Sequence, residues 1–316
     1  MSAYIIRRLF LLIPVLMIVG VIVFTLIHLT PGDPASVMLG RDATIEQKVA
    51  LREQLGLNEP FHIQLVEWFG NALRLDFGES LFIGKPVTEA LLDRFQPTTL
   101  LALYSLTLSV MIAIPAGVLA AIRPNSPLDR LLMIMSISGV AIPSFFFGIL
   151  LILLFAVVLG WLPAGGYVDF GESPVQHLKY MILPTLALGF SSAGLMARLV
   201  RSTMLDVLNQ DFVRTAYAKG LPQRHVVMLH ALRNALIPVM TIVGISFAHM
   251  LGGAIVIETV FNLPGMGRLL VQSVTRRDFP VVQGAVMTVA AIQVLIMLLL
   301  DVLYVYVDPR VRYGSR

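Results

Sequence analysis

Long apolar stretches separated by polar segments make up most of the chain. Six of these stretches are about as long as the roughly 20 residues that a helix needs to cross the hydrocarbon core of a bilayer. They span residues 9–29, 98–122, 131–159, 181–199, 237–257 and 282–305. The pattern predicts an all-α integral membrane protein with six transmembrane helices.

The overall composition supports the membrane assignment. Hydrophobic residues make up 57% of the 316 residues, against about 45–50% in soluble domains. Charged residues contribute only 13%, and the mean hydropathy is +0.84. The chain has no cysteine, which excludes disulfides and thiolate metal sites.

The first apolar stretch predicts a retained span rather than a cleaved signal peptide. Its apolar core exceeds the roughly 7–15 residues of a signal peptide, and no A-x-A site follows it. We therefore expect the chain to have four parts. They are an N-terminal tail and first span (1–30), an external helical scaffold (31–96), a transmembrane core with spans two to six (97–306) and a C-terminal tail (307–316).

The external region carries recognisable helix signals. Thr44 and Gln47 have the spacing of a capping box, which predicts a helix that continues to Leu55 and ends at Gly56. Pro60 can begin another helix, because proline is favoured in the first turn. The region is therefore expected to form a small helical domain.

Positive charges predict which side of the membrane each loop occupies. If the N-terminus is cytoplasmic, the inner segments hold many more arginines and lysines than the short outer loops. The inner set is Arg7, Arg8, Arg123, Arg130, Arg198, Arg201, Arg214, Lys219, Arg224, Arg233, Arg310, Arg312 and Arg316, and the outer set is Lys179, Arg268, Arg276 and Arg277. This asymmetry predicts that both termini are cytoplasmic.

One polar segment between the fourth and fifth spans predicts two short helices joined by a tight bend. Asp211 can cap the first helix through its carboxylate. Gly220 can supply the left-handed residue that ends it, and Pro222 prevents its continuation. The second helix is expected from about Arg224 until Pro238 opens the next span. A basic bent segment on the cytoplasmic side is well suited to contact a cytoplasmic partner.

This segment resembles the "EAA" coupling loop of ABC-importer permeases. RTAYAKGLP and HALRNALIP have the form seen in the oligopeptide, dipeptide, nickel and glutathione branch of that family, and FNLPGMGRLL and RRDFPVVQG also resemble its phrases. The resemblance implies that residues 209–236 form a loop that contacts an ATP-binding subunit. The residues that it assigns to this coupling are Arg214, Thr215, Ala216, Tyr217, Ala218, Lys219, Gly220, Leu221, Pro222, Arg224, His230, Arg233 and Asn234.

The resemblance also implies a function and a set of partners. The chain would be a permease subunit in the bacterial inner membrane, working by alternating access with a sister permease, two ATPase subunits and an external binding protein. Peptides or glutathione-like compounds would be its substrates, with a nickel chelate as the alternative. Lipid would surround the chain, no nucleic acid would bind, and ATP and magnesium would sit on the partners, with no cofactor on this chain.

Enzymatic motifs are missing from the sequence. No G-x-x-x-x-G-K-[ST] phosphate loop is present, and no H-E-x-x-H motif. His225 and His230 are five residues apart, which does not match the i, i+4 spacing of a metal pair on an α-helix. The chain is therefore not expected to hydrolyse ATP or bind a metal. An ATP-independent channel or secondary transporter is the alternative, for which inverted repeats or intramembrane acids would be expected.

Polar residues and helix breakers at membrane depth predict where a translocation path could lie, because polar groups facing lipid would be costly. The candidates for the path or its gate are Ser138, Ser144, Ser191, Ser192, Ser246, His249, Pro264, Gly265 and Gln293. For any single one, a hydrogen bond between helices is the alternative. For the loop with Pro264 and Gly265, the alternative is a structural hairpin. Kinks are expected at Pro14, Pro115, Pro143, Pro184 and Pro238.

Overall fold

The computed structural model describes residues 2–29, 34–40, 43–54, 56–80 and 82–307. Within these ranges the chain is helical, and the extended backbone pairs only at an isolated bridge between Glu79 and Pro86. The α-helices are α1 (Ser2–Leu29), α2 (Pro34–Leu39), α3 (Ile45–Gln54), α4 (Phe61–Leu73), α5 (Val87–Ile122), α6 (Pro127–Ala141), α7 (Ser144–Leu151), α8 (Pro174–Leu208), α9 (Asp211–Ala218), α10 (Gln223–His225), α11 (Leu232–Val260), α12 (Met266–Arg276) and α13 (Phe279–Val307). Two π-helical segments are π1 (Ile152–Val158) and π2 (Val226–Ala231).

The predicted all-α class is confirmed, and apolar helices occur where the spans were expected. In the described residues, four helical stretches are long and apolar enough to cross a membrane: Val87–Ile122, Pro174–Leu208, Gln223–Val260 and Phe279–Leu300. Phe10–Leu26 is a shorter apolar stretch, and α6 with the segment Ser144–Val158 forms a bent pair. The number of six crossings stays a prediction.

The third span, predicted over 131–159, is broken at Pro143, which is one of the predicted kink sites. α6 and the following helical segment meet at 104°. Ile142 lies between them in an extended conformation (φ −85°, ψ 122°), which the ring of Pro143 favours because it disfavours the helical conformation at the residue before it. The other predicted kink sites lie within helices that continue past them: Pro14, Pro115, Pro184 and Pro238.

Other spans begin earlier than predicted, α5 and α8 among them. α5 starts at Val87 rather than at residue 98, and α8 starts at Pro174 rather than at residue 181. Ser173 caps α8 by accepting a hydrogen bond from the backbone of Gln176. The hydropathy pattern marks only the apolar part of a helix, so its polar first turns were assigned to the loops.

Cα packing divides the chain into two compact units, Met1–Thr98 with Pro264–Leu295, and Thr99–Leu263 with Ile296–Arg316.

In the first unit, the predicted capping box is present. The Thr44 backbone N–H donates to Gln47 Oε1 at 2.9 Å, and the Gln47 N–H donates to Thr44 Oγ1 at 3.3 Å. Thr30 to Asp33, Leu55 and the tail from residue 308 lie outside the described residues.

Helix α12 was not predicted from the sequence. It lies in the first unit, where Met266 and Leu269 pack with Val87, Leu91 and other residues in a buried apolar cluster. The backbone N–H of Met266 also donates to the Thr98 hydroxyl at 2.9 Å. These contacts favour the structural interpretation of the segment that follows Pro264.

The second unit is built around α8, which packs on α6, α7 and α11. Small residues let the backbones approach closely, as is common between membrane helices. A Cβ added at Gly117 of α5 would lie 2.7 Å from the Ala197 carbonyl oxygen, and one at Gly189 would lie 2.9 Å from that of Ser105. α8 is therefore the central helix of this unit.

The segment before α8 is held by a buried histidine. The side chain of His177 is fully buried, and Nδ1 donates to the Val168 carbonyl oxygen at 2.8 Å. Nε2 lies 3.3 Å from the Tyr104 hydroxyl, which gives the ring a second hydrogen bond. The rings of Tyr167 and Phe170 also contact His177 edge-on, and burial raises the pKa of the Tyr167 phenol.

Candidate functional site: a coupling loop and a polar cavity

The bend at Gly220 is a Schellman motif, as the glycine and proline spacing predicted. Gly220 has φ +80°. Its N–H donates to the Tyr217 carbonyl at 2.9 Å, and the Leu221 N–H donates to the Ala216 carbonyl at 3.4 Å. Leu221 then packs on the cluster of Val213 and Ala216, so an apolar contact accompanies the hydrogen bonds.

The prediction that the Asp211 carboxylate caps α9 was wrong. The N-cap is Gln210, which makes no side-chain capping bond, and Asp211 is the first helical residue. The Asp211 carboxylate instead lies 3.6 Å from the Arg214 guanidinium, and both side chains are exposed. A negative charge in the first turn still interacts favourably with the helix dipole.

The second helix of the loop does not end at Pro238, contrary to the prediction. α10, π2 and α11 follow one another without a break from Gln223 to Val260. Ala235 and Val239, on either side of Pro238, are buried in a cluster with Val200 and Met204 of α8. This packing stabilises the helix across the proline.

The π-helical turn places His225 and His230 against each other. Their ring centroids are 5.9 Å apart, although their spacing in sequence does not bring two residues together on an α-helix. The sequence argument, that this spacing does not match a metal pair, assumed an α-helix, and the π-helical turn replaces that geometry. Among the described residues, no group of three histidines or acids could hold a metal ion.

The coupling loop presents most of its predicted residues to the surface. Ala216 is buried, and Leu221 and His230 are half-buried. The exposed members are Arg214, Thr215, Tyr217, Ala218, Lys219, Gly220, Pro222, Arg224, Arg233 and Asn234. Two of them make local side-chain hydrogen bonds to the backbone, Thr215 to Asp211 and Asn234 to His230.

Sequence reasoning missed the apolar part of this surface. Phe212, Met228 and Leu229 are exposed on the loop, as is Tyr217. A groove of about 490 Å³ is lined by Pro222, Arg224, His225, Met228 and Leu229. The signal that could have identified them is the presence of large apolar residues in a polar segment between two spans.

Four of the predicted path residues line one cavity. Ser144, Ser191, Ser192 and His249 surround a space of about 230 Å³ at the break in the third span. Its other lining residues are Val140, Ile142, Pro143, Leu188 and Met250. Three serines and one histidine thus line a concavity whose other lining residues are apolar.

The other path candidates lie elsewhere. Ser138 is half-buried in α6 and Ser246 is buried in α11, and neither lines the cavity. Pro264, Gly265 and Gln293 belong to the first unit, where Gly265 is the residue that precedes α12.

The coupling loop is the covalent connection between two walls of this cavity. Ser191 and Ser192 lie on α8, which ends at Leu208 just before the loop. His249 and Met250 lie on α11, which continues from the second half of the loop. The same two helices therefore carry the loop and the cavity residues.

Comparison with protein families agrees with this architecture. Residues 113–313 match the model described as binding-protein-dependent transport system inner membrane component, and residues 1–103 match the model of its N-terminal region. The chain belongs to this family. It is a permease component and carries no ATPase motif of its own.

Relatives match the permease over its full length. The probable peptide ABC transporter permease protein y4tP of Sinorhizobium fredii is 43% identical, with 99% of this chain and 100% of the relative covered. The glutathione transport system permease protein GsiC of Escherichia coli K12 is 44% identical over the same shares of the two chains.

Solved structures share the fold of the permease at low sequence identity. A chain of the MetNI methionine ABC transporter, in an inward-facing conformation, aligns with a TM-score of 0.57 at 19% identity, covering 69% of this chain and 96% of that one. A chain of an amino acid ABC transporter aligns with a TM-score of 0.51 at 19% identity, covering 71% and 94%.

Proposed function

We propose that this permease imports peptides or glutathione-like compounds in a complex driven by two partner ATPase subunits. ATP and magnesium would bind to those partners, an external binding protein would deliver the substrate, and a sister permease would complete the path. The relatives named as peptide and glutathione permeases support this substrate class. The charge distribution along the chain supports a cytoplasmic position for the coupling loop.

One observation carries the proposed mechanism. The loop that would contact the ATPases joins α8 to α11, and these two helices form walls of the polar cavity. Closure of the ATPases would push on the exposed surface around Tyr217 and Arg224. That push would change the angle between α8 and α11 and so open or close the cavity.

The bend at Gly220 provides the test. Gly220 has φ +80° and no atom within 4 Å of an added Cβ, so a substitution there acts through backbone strain rather than through a clash. Left-handed geometry costs about 1–2 kcal/mol for a residue with a Cβ. Asparagine tolerates it better than valine, because its short polar side chain can bond locally and valine is β-branched.

We expect Gly220→Val to lower substrate uptake per ATP hydrolysed in proteoliposomes that contain the whole complex, while Gly220→Asn keeps most of it. Thermal unfolding of both variants would verify that the spans remain folded. Uptake by Gly220→Val equal to that of the original protein would contradict the proposal. Uptake without ATPase subunits would instead favour an ATP-independent channel or carrier.

Substrate identity requires a separate measurement. Uptake of a labelled dipeptide, glutathione and a nickel chelate should be compared in complexes with the cognate binding protein. We expect uptake of the dipeptide or of glutathione. Uptake of the nickel chelate alone would contradict the proposed substrate class.

A further inference from the structure

A buried ion pair joins α6 to α8 in the second unit. Arg201 Nε donates to Asp129 Oδ1 at 2.6 Å, and Arg201 Nη2 donates to Asp129 Oδ2 at 2.7 Å. The carboxylate also accepts the backbone N–H of Asn125 at 2.9 Å. The Asp129 side chain is only 4% exposed and that of Arg201 is 25% exposed. The two side chains therefore meet in a bidentate geometry that fixes both distance and orientation.

The location of this pair suggests a role beyond stability. Buried ion pairs often add little net stability relative to apolar residues of the same size, but separating their charges is strongly unfavourable. The pair therefore resists relative movement of the two helices more than it stabilises the fold. Asp129 lies in the first turn of α6, and Arg201 lies in the last third of α8, the helix that leads into the coupling loop.

Two backbone contacts extend the packing of α6 on α8 from the ion pair towards the cavity. A Cβ added at Gly194 of α8 would lie 2.4 Å from the Ser136 carbonyl oxygen of α6. A Cβ added at Gly139 of α6 would lie 3.0 Å from the Phe190 carbonyl oxygen of α8. α6 thus contacts α8 along most of its length and ends at the residues that line the cavity, Val140 and Ile142.

We propose that Asp129 and Arg201 are positioning residues that make α6 move together with α8. Movement of the coupling loop reaches α8 directly, and the ion pair transmits it to α6 and so to the broken span at Pro143. Without the pair, α8 moves while the α6 wall of the cavity lags behind. This inference rests on the proposed function, since it concerns how ATP hydrolysis is linked to the cavity.

Two measurements test this proposal, and the absence of native cysteines allows specific labelling for the first. Spin labels at Leu131→Cys on α6 and Ser202→Cys on α8 report the distance between the helices near the pair, since both positions are exposed. We expect one narrow distance distribution that is the same with and without ATP. Asp129→Asn should broaden it, because the neutral amide lacks the charge and offers the guanidinium only one acceptor oxygen in place of two.

The second measurement is uptake per ATP hydrolysed in the reconstituted complex. We expect Asp129→Asn to lower this ratio at least about five-fold while hydrolysis continues. The matched control is Asp93→Asn, which removes an exposed ion pair with Lys85 that has the same 2.6 Å N···O distance. That control should leave the ratio unchanged.

Each result either supports or contradicts the proposed role of the ion pair. An unchanged ratio in Asp129→Asn overturns the proposal, as does a distance in the original protein that changes with ATP. If Asp129→Asn does not assemble, Arg201→Lys serves as the second variant. A lysine retains the charge without the bidentate fork, so it should lower the uptake per ATP hydrolysed about two-fold or more. An unchanged ratio in Arg201→Lys also overturns the proposal. If Gly220→Val stays fully coupled, the proposed function fails, while the spin labels still report whether the pair fixes α6 to α8.

Discussion

Gly194 of α8 lies against the backbone of Ser136 of α6 so closely that an added Cβ would stand 2.4 Å from the Ser136 carbonyl oxygen. The neighbouring atom is backbone and cannot rotate away, so the two helices would have to separate. Ser136 is buried at this contact, and its hydroxyl donates to the Leu132 carbonyl at 2.8 Å.

We expect Gly194→Ala to destabilise the permease. Alanine favours a helix by about 1 kcal/mol over glycine, but overpacking at a backbone contact costs about 1–3 kcal/mol. The Tm in detergent should therefore fall. Gly252→Ala is the control, because nothing lies within 4 Å of a Cβ at that position of α11; its Tm should stay the same or rise. Equal Tm values for the two variants would show that α6 and α8 can separate at little cost.

We expect His177→Phe to destabilise the second unit as well. Phenylalanine keeps an aromatic ring among Tyr104, Tyr167 and Phe170 but leaves the Val168 carbonyl and the Tyr104 hydroxyl without their partner. Each lost buried partner costs about 1–3 kcal/mol. Thermal unfolding measures the effect, and His62→Phe at an exposed position serves as the control. A Tm unchanged by His177→Phe would mean that water replaces both bonds.

We expect Ser192→Leu to block uptake. The larger side chain would fill a substantial part of a cavity of about 230 Å³ and remove one of its hydroxyls. Uptake into proteoliposomes should fall, while ATP hydrolysis by the complex continues. Ser202→Leu makes the same change at an exposed position of α8 away from the cavity and should have little effect. Full uptake by Ser192→Leu would remove the cavity from the translocation path.

We expect Met228→Glu to weaken binding of the ATPase subunits. The Met228 side chain is 54% exposed and lines the groove beside Arg224. A buried interface would leave the new carboxylate poorly solvated, and the apolar contact would be lost. The recovery of ATPase subunits with the purified permease measures the effect. Gln223→Glu adds the same charge at an exposed neighbouring position and should leave recovery nearly unchanged; equal losses in both variants would indicate a general charge effect.

Local signals in the sequence predicted several features of the structure correctly. The capping box of Thr44 and Gln47 and the left-handed Gly220 depend on a few neighbouring residues, and both are present. Asp211 failed as a cap because Gln210 occupies the position before the helix. Helix boundaries depend on where the backbone begins to turn, which several adjacent polar residues permit equally well.

The sequence by itself determined the helical membrane class, the apolar stretches and the bend at Gly220, because each depends on hydropathy or on backbone preferences within a few residues. Only the tertiary structure decided that Ser144, Ser191, Ser192 and His249 share one cavity, and that α11 continues across Pro238. The pairing of Asp129 with Arg201, which lies 72 residues away in the sequence, was likewise decided only by the tertiary structure. Contacts between distant helices depend on how the helices pack, and no local pattern encodes which of their faces meet.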